Sequence, residues 1–278
     1  MLASERLGFP ADARVLIINA DDFGMYPAIN AAVLESIERG VASSCSLMPP
    51  CPGAAEALRL LMARPNLPFG IHLTLVSESA RMRFRPMAGP ERVPSLVDRD
   101  GFLILAEDRE SLLRIAILGE VEVELRAQID SVLRTGLSPT HLDWHSLADG
   151  GRSDIFELGL DLAAQYGLAA RVWLEPGRQL ARGRGLPVVD HPFVDSFSLG
   201  VEGKAERFAA LVEALPAGLS EWAVHPGPAG ADAEPADDGR WVRASDLAWL
   251  ASAAAAQQLR DAGITVIDYR GLQEAWRG

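Results

Sequence analysis

Short apolar runs alternate with amphipathic patterns along most of the chain. The apolar runs are typical of buried strands, and we predict strands at 15–19, 43–48, 69–75, 140–145, 170–174, 188–190, 221–225 and 264–269. Between them, apolar residues recur at helical spacing, which predicts helices at 28–39, 54–63, 121–134, 155–166, 204–215 and 244–262.

Strand and helix alternate in this way throughout, which favours an α/β fold with a parallel sheet. Seven or eight such units favour a closed or nearly closed (β/α) barrel over an open doubly wound sheet. The chain has no internal repeat and no linker that would divide it, so we predict a single domain over residues 1–278. Two stretches interrupt the alternation. Residues 76–119 form a long, proline-containing excursion where a lid would lie, and residues 227–239 predict a mobile loop.

The charge balance excludes some partners. A formal net charge of -12 at pH 7 argues against general binding to nucleic acid or to an anionic membrane. No apolar stretch approaches the ~18 residues that a bilayer-spanning helix needs, and the first ten residues lack a signal-peptide core. We therefore expect a cytoplasmic protein, and the sequence leaves open whether it forms a homo-oligomer.

Polar residues stand at the ends of several predicted strands. Asp21 and Asp22 follow the first apolar run, and His72, His145 and His225 end three others. Because the carboxyl ends of parallel strands gather at one edge of a sheet, these five side chains are expected to face one pocket. Carboxylate and imidazole together suit a divalent metal, whereas two cysteines are too few for a thiolate zinc site.

The adjacent carboxylates of Asp21 and Asp22 repel each other unless a proton or a cation intervenes. A divalent metal resolves this repulsion by taking one carboxylate as a ligand, and its neighbour can then act as a general base on a metal-bound water. A simpler interpretation is that both residues cap the following helix, but capping leaves the histidines unexplained. On the opposite side of such a metal, His225 could protonate a leaving amine.

His141, Asp143 and His145 have the spacing i, i+2 and i+4, so an extended strand would point all three the same way. His145 lies nearest the strand end and is the best placed to reach a metal. Asp143 can accept a ring N–H and fix the tautomer of a histidine. His141 lies one step deeper, and we favour a supporting role for it over direct metal ligation.

Five motifs, in order along nearly the whole chain, resemble those of the YdjC-like carbohydrate deacetylases. They are Asn-Ala-Asp-Asp-Phe-Gly at 19–24, Ser-Ser-Cys-Ser-Leu-Met at 43–48, Gly-Ile-His-Leu-Thr-Leu at 70–75, Pro-Thr-His-Leu-Asp-Trp-His at 139–145 and His-Pro-Gly at 225–227. The resemblance implies a distorted, TIM-like (β/α) barrel that removes acetyl groups from N-acetylated sugars or oligosaccharides with one divalent metal ion.

The resemblance also implies roles for the strand-end residues. Asp22, His72 and His145 would be the metal ligands, Asp21 the general base and His225 the general acid. Zinc or magnesium is the expected metal, and manganese and cobalt stay open because oxygen and nitrogen ligands suit all four.

Two positions bear on the substrate. Arg171 matches a site where relatives often carry arginine, and it could orient a carboxylate or be a solvated strand-end charge. Relatives commonly carry one or two further histidines after the position of His145, whereas this chain has Ser146, Leu147, Ala148 and Asp149 there. We therefore expect altered substrate contacts.

Two alternative functions remain. One is a metal-dependent phosphoesterase on a similar barrel, and the other is a non-catalytic metal- or sugar-binding relative.

Overall fold

Eight strands form one sheet in which every pair of neighbouring strands is parallel. The computed structural model describes residues 1–230 and 233–278. The strands are β1 (Arg14–Phe23), β2 (Ser44–Leu47), β3 (Phe69–Leu73), β4 (His141–Trp144), β5 (Ala169–Ala170), β6 (Val194–Asp195), β7 (Gly218–Val224) and β8 (Ile264–Ile267).

Strand β1 lies at the centre of the sheet. The order of strands is β5-β4-β3-β2-β1-β7-β6, and β8 also pairs with β1. The first half of β1 pairs with β8 and its last residues pair with β2, while β7 follows it along residues 14–20. The sheet curls into a distorted, TIM-like barrel, which confirms the predicted fold class.

Helices follow most of the strands. They are α1 (Ala3–Arg6), α2 (Pro27–Glu38), α3 (Ala54–Met62), α4 (Arg109–Ile115), α5 (Leu118–Leu133), α6 (Ser153–Tyr166), α7 (Glu175–Gly183), α8 (Lys204–Ala214), α9 (Arg240–Leu250), α10 (Ala253–Asp261) and α11 (Arg270–Arg277). Short 3₁₀ turns lie at Pro94–Leu96, Ala106–Asp108, Ala148–Gly151 and Ser196–Leu199.

Both faces of β1 are buried, and the alternation of its side chains between the two faces explains how the site is positioned. Leu16 and Ile18 pack in the large core between sheet and helices, whereas Val15 and Ile17 belong to a smaller apolar cluster. Because a strand has a period of two, the face that carries Val15 and Ile17 next carries Asn19 and Asp21. This face is therefore apolar at the start of β1 and polar at its carboxyl end.

Three predicted elements are corrected by the structure. The predicted strand at 188–190 is wrong, because the Asp190 carboxylate rather than a backbone carbonyl accepts from Leu219 N at 2.7 Å, and β6 lies later at Val194–Asp195. The predicted strand at 170–174 is reduced to Ala169–Ala170. The predicted helix at 244–262 is two helices, since the Ser252 side chain accepts a hydrogen bond from Ala255 N at 3.1 Å and starts a new one.

The excursion at 76–119 contains two short 3₁₀ turns and α4, and its role as a lid stays a prediction. Residues 231–232 of the predicted mobile loop lie outside the described residues. Within the described parts of the chain, no helix has the length and apolar character needed to cross a bilayer. Cys45 and Cys51 are both buried and free.

Candidate active site

The five strand-end residues lie around one cavity of about 270 Å³. Asp21 and Asp22 are near the carboxyl end of β1, His72 is the fourth residue of β3, and His145 and His225 directly follow β4 and β7. All five side chains are buried. The parallel sheet thus brings together side chains that are separated by some two hundred positions in the sequence.

Asp22, His72 and His145 can hold one metal ion, because one ligand atom of each lies within 4.8 Å of the others. Asp22 Oδ1 is 3.4 Å from His72 Nε2 and 3.3 Å from His145 Nδ1. One carboxylate oxygen and two imidazole nitrogens are the donors of many catalytic zinc sites, and they leave coordination positions open for substrate and water. The residues present therefore fit a divalent metal.

Asp143 orients His72 from behind. Its Oδ1 lies 2.9 Å from His72 Nδ1, which leaves Nε2 directed at Asp22. Burial disfavours a charged His72, but the carboxylates of Asp143 and Asp21 outweigh it and raise the pKa of His72 to about 10. A carboxylate that holds the distant ring nitrogen in this way is the usual support of a metal-binding histidine.

Glu78 holds His145 in the same manner. Its Oε2 lies 3.1 Å from His145 Nε2. Burial disfavours the charged ring of His145, but the hydrogen bonds that the ring donates to the carboxylates of Asp22 and Glu78 raise its pKa. Glu78 comes from the excursion at 76–119, and we did not predict it, because a single glutamate in a polar loop carries no signal in the sequence.

Asp22 has an unusual backbone and a buried partner. Its φ of 67° is left-handed, and in the described residues the other non-glycine positions with positive φ are Ser146 and Asp149, on the loop after His145. Arg243 Nη1 lies 2.7 Å from Asp22 Oδ2. Burial disfavours the charged carboxylate, but Arg243 leads the interactions that hold the pKa of Asp22 well below its usual range.

Arg171 fixes Asp21 with two parallel hydrogen bonds. Arg171 Nη1 donates to Asp21 Oδ2 at 2.7 Å, and Nη2 donates to Oδ1 at 2.8 Å. Asn19 donates a further bond to Oδ1 at 2.7 Å. Since Arg171 is 1 % exposed, it is a buried partner of Asp21 rather than a solvated strand-end charge. Its Nε in turn donates to Glu221 Oε1 at 2.7 Å, and Tyr269 donates to Glu221 Oε2 at 2.6 Å.

His225 lies opposite the metal ligands, with Nε2 3.9 Å from Asp21 Oδ2. Its Nδ1 is 2.9 Å from Ser196 Oγ, which donates to Asp246 Oδ2 at 2.5 Å. Because the serine proton is given to the carboxylate, Ser196 accepts the Nδ1 proton of His225. This chain of bonds leaves Nε2 directed at Asp21. Lys204 pairs with the second oxygen of Asp246.

His141 lies deeper in the barrel than the other histidines. Its ring stacks on Tyr269 with centroids 3.7 Å apart, and its Nδ1 is 2.9 Å from Thr140 Oγ1. Gly70 is required beside it, because a Cβ at this position would collide with the His141 ring. These contacts support a structural role.

Helix α9 supplies two site residues that we did not predict, Arg243 and Asp246. They lie three residues apart on the buried face that also carries Trp249 and Leu250. Two charged residues on an otherwise apolar helix face were the available signal in the sequence, because charges are rarely buried unless they are paired.

The alternative that Asp21 and Asp22 cap helix α2 does not hold, since the N-cap of α2 is Tyr26 and no side chain caps this helix.

The sequence is similar to a known family and to named relatives. Residues 15–261 match the model of the family described as YdjC-like protein. The chain belongs to the YdjC-like family. A carbohydrate deacetylase of Geobacillus stearothermophilus is 34% identical over 260 residues, covering 92% of this chain and 97% of the relative. Another, from Thermoanaerobacter pseudethanolicus, is 30% identical over 213 residues, covering 77% of this chain and 81% of the relative.

A solved structure from Enterococcus faecalis is similar in fold to this YdjC-like chain. It is named for cellobiose-phosphate cleavage, has a TM-score of 0.79 and 26% identity, and the match covers 94% of this chain and 99% of the other. The relatives of nearly the same length are carbohydrate deacetylases, and they support an enzyme that deacetylates sugars.

Proposed function

We propose that this YdjC-like protein is a metal-dependent hydrolase that removes the acetyl group from an N-acetylated sugar or glycoconjugate. The observation that carries the proposal is the buried cluster in which Asp22, His72 and His145 converge beside a separately held carboxylate, Asp21. A structural ion pair would need neither the convergent imidazoles nor the cavity in front of them.

Asp22, His72 and His145 would hold the metal. When bound there, a divalent metal polarises an amide carbonyl and lowers the pKa of a water molecule. The carboxylates of Asp143 and Glu78 keep the two histidines aimed at this position, through contacts of 2.9 and 3.1 Å.

Asp21 and His225 would move the protons. Arg171 and Asn19 hold Asp21 so that its Oδ2 lies 3.9 Å from both His72 Nε2 and His225 Nε2. From this position, Asp21 accepts the proton of the attacking water. His225 Nε2 then donates a proton to the amine nitrogen as the C–N bond breaks, with Ser196 and Asp246 stabilising the charged ring.

The cavity wall supports a sugar as the substrate. Trp173 and Phe197, both partly exposed, line it together with the charged residues. Aromatic faces pack against the C–H faces of a pyranose ring, while the charged groups of the cavity can exchange hydrogen bonds with its hydroxyls.

The decisive experiment is acetate release from N-acetylglucosamine and its oligomers by the metal-loaded protein, in parallel with phosphate release from p-nitrophenyl phosphate. We expect acetate only.

The Asp21→Asn variant should keep the metal and lower kcat by at least about a hundredfold, because it removes the general base. Near-full activity in this variant would show that the base is another residue.

Two other results would replace the proposal. Phosphate release would indicate a phosphoesterase, and stoichiometric metal with no acetate release from a broad glycan panel would indicate a non-catalytic relative. The identity of the metal, the oligomeric state and the cytoplasmic location stay predictions from the sequence.

A further inference from the structure

A second cavity, of about 540 Å³, adjoins the active-site cavity. Ser146 lines both of them, and it directly follows His145, a proposed metal ligand. A group attached to a sugar in the first cavity would reach the second by passing Ser146.

The walls of the second cavity are largely apolar. Aliphatic and aromatic side chains come from α4, the loop after β4, helices α6 and α7, and the residue before α7. They are Leu113, Leu147, Phe156, Leu174, Pro176 and Leu180. Leu147 and Phe156 are buried, whereas Leu174 is 49% exposed and so lies at the rim. An exposed apolar rim around a preformed cavity is typical of a binding site rather than of a packing defect.

Of its five polar side chains, Asp149 and Arg152 are engaged within the protein, whereas Arg109, Ser146 and Ser153 are exposed to solvent. Asp149 accepts hydrogen bonds from Trp173 N at 2.7 Å and Leu174 N at 2.9 Å, one on each oxygen. Arg152 Nη1 donates to the carbonyl of Leu113 at 2.7 Å, and its Nε and Nη2 donate to Asp154. Asp149 and Arg152 therefore have little capacity left for the hydroxyls of a second sugar, whereas an apolar group needs no such partner.

The loop that forms the wall is held in a specific shape. Ser146 and Asp149 have positive φ values of 56° and 48°. The hydrogen bonds that the Asp149 carboxylate accepts tie the loop to the start of α7. Residues of this kind persist only where the surrounding structure fixes them. This is also the segment 146–149 at which the sequence departs from the motif that it resembles.

We propose that the second cavity binds an alkyl or acyl chain joined to the N-acetylated sugar. The substrate is then an amphiphilic glycoconjugate rather than a longer oligosaccharide. This inference rests on the proposed function for the sugar half of the substrate, and the two are tested separately below.

The test uses the methyl, butyl and hexyl β-glycosides of N-acetylglucosamine, below their micellar concentrations. Each buried methylene is worth about fourfold in affinity. We therefore expect the KM for acetate release to be at least about tenfold lower for the hexyl than for the methyl glycoside, with kcat little changed. The same three compounds are titrated calorimetrically into the metal-loaded Asp21→Asn variant, which gives Kd without turnover.

Leu174→Ser removes an apolar side chain from the rim, and serine at the position before α7 is a favourable helix N-cap. We expect it to reduce the preference for the hexyl glycoside at least about threefold. Ile117→Ser is the matched control, because Ile117 is similarly exposed at 57% but is not among the residues lining the cavity. It should leave the preference unchanged.

Equal Kd values for the three glycosides would overturn the inference, whatever the turnover. A gain in affinity for N,N'-diacetylchitobiose that exceeds the hexyl gain and is lost in Leu174→Ser would assign the cavity to a second sugar and would also overturn it. Failure of the proposed function has a different signature, since none of the three glycosides would then release acetate.

Discussion

The candidate site is formed by two groups of residues that differ in origin. One group stands on strands or directly after them and includes Asp21, Asp22 and His72. The other comes from outside the sheet, with Glu78 in the excursion after β3 and Arg243 in helix α9. The second group contacts the first, since Glu78 lies 3.1 Å from His145 and Arg243 lies 2.7 Å from Asp22.

This difference in origin separates the residues that carry the chemistry from those that adjust its strength. The ladder of β1 with β2, β7 and β8 fixes the strand-end residues, so their positions follow from the fold itself. The residues from outside the sheet fix the orientation and charge of side chains that are already in place. Loss of a strand-end residue should therefore abolish a function, whereas loss of a supporting residue should weaken it.

The largest effect is expected for Asp22→Asn. Asparagine tolerates the left-handed φ of 67°, so the backbone is kept while the charged ligand is lost. We expect metal affinity to fall at least about a hundredfold, measured by calorimetric titration. The neighbouring Asp21→Asn is the matched control and should bind metal as the wild type does. Equal affinity in both variants would remove Asp22 from the ligand set.

A change of pH should affect metal binding strongly. Burial disfavours a charged His72, but Asp143 and Asp21 raise its pKa to about 10, so the metal-free ring carries a proton at neutral pH. Metal must displace this proton, and its affinity therefore falls as pH falls, by about tenfold per unit for each proton. We expect binding about a hundredfold weaker at pH 6 than at pH 8. Calorimetry in buffers of different ionisation enthalpy should count at least one released proton, and pH-independent binding would contradict the expectation.

The sequence predicted the strand-end group because apolar runs and a period of two determine where a strand ends and which side chains share a face. Asp21, His72, His145 and His225 could be found in this way, and the structure places all four around one cavity. Their individual roles stay proposals. The fold class followed from the same alternation of strands and helices.

The supporting group could not be found from local patterns. Glu78 reaches His145 only through the path of a long excursion, and no periodicity encodes that path. Arg243 and Asp246 were visible only as charges on an apolar helix face, which does not reveal their partners. Short strands such as β6 were also missed, because two residues are too few to show the alternation of apolar and polar positions that marks a strand.

Ser196→Ala tests the support of the proposed acid. Ser196 accepts the Nδ1 proton of His225 and passes a hydrogen bond to Asp246, so its loss leaves the ring less well oriented. We expect kcat to fall about tenfold, with KM and metal affinity unchanged. Ser198→Ala is the control from the same 3₁₀ turn, because the exposed Ser198 donates only to the Asp195 carbonyl. A change in KM alone would contradict this role.

The smallest effect is expected for Glu78→Gln. The amide keeps an oxygen that can accept from His145 Nε2 but removes the charge that makes the ring a stronger ligand. We expect metal affinity to fall about three- to tenfold, less than for Asp22→Asn. Arg81→Gln is the control from the same segment, since its ion pair with Asp238 at 3.2 Å is exposed to solvent. A loss as large as that of Asp22→Asn would make Glu78 a metal ligand itself, and the division between strand-end and supporting residues would then fail at this position.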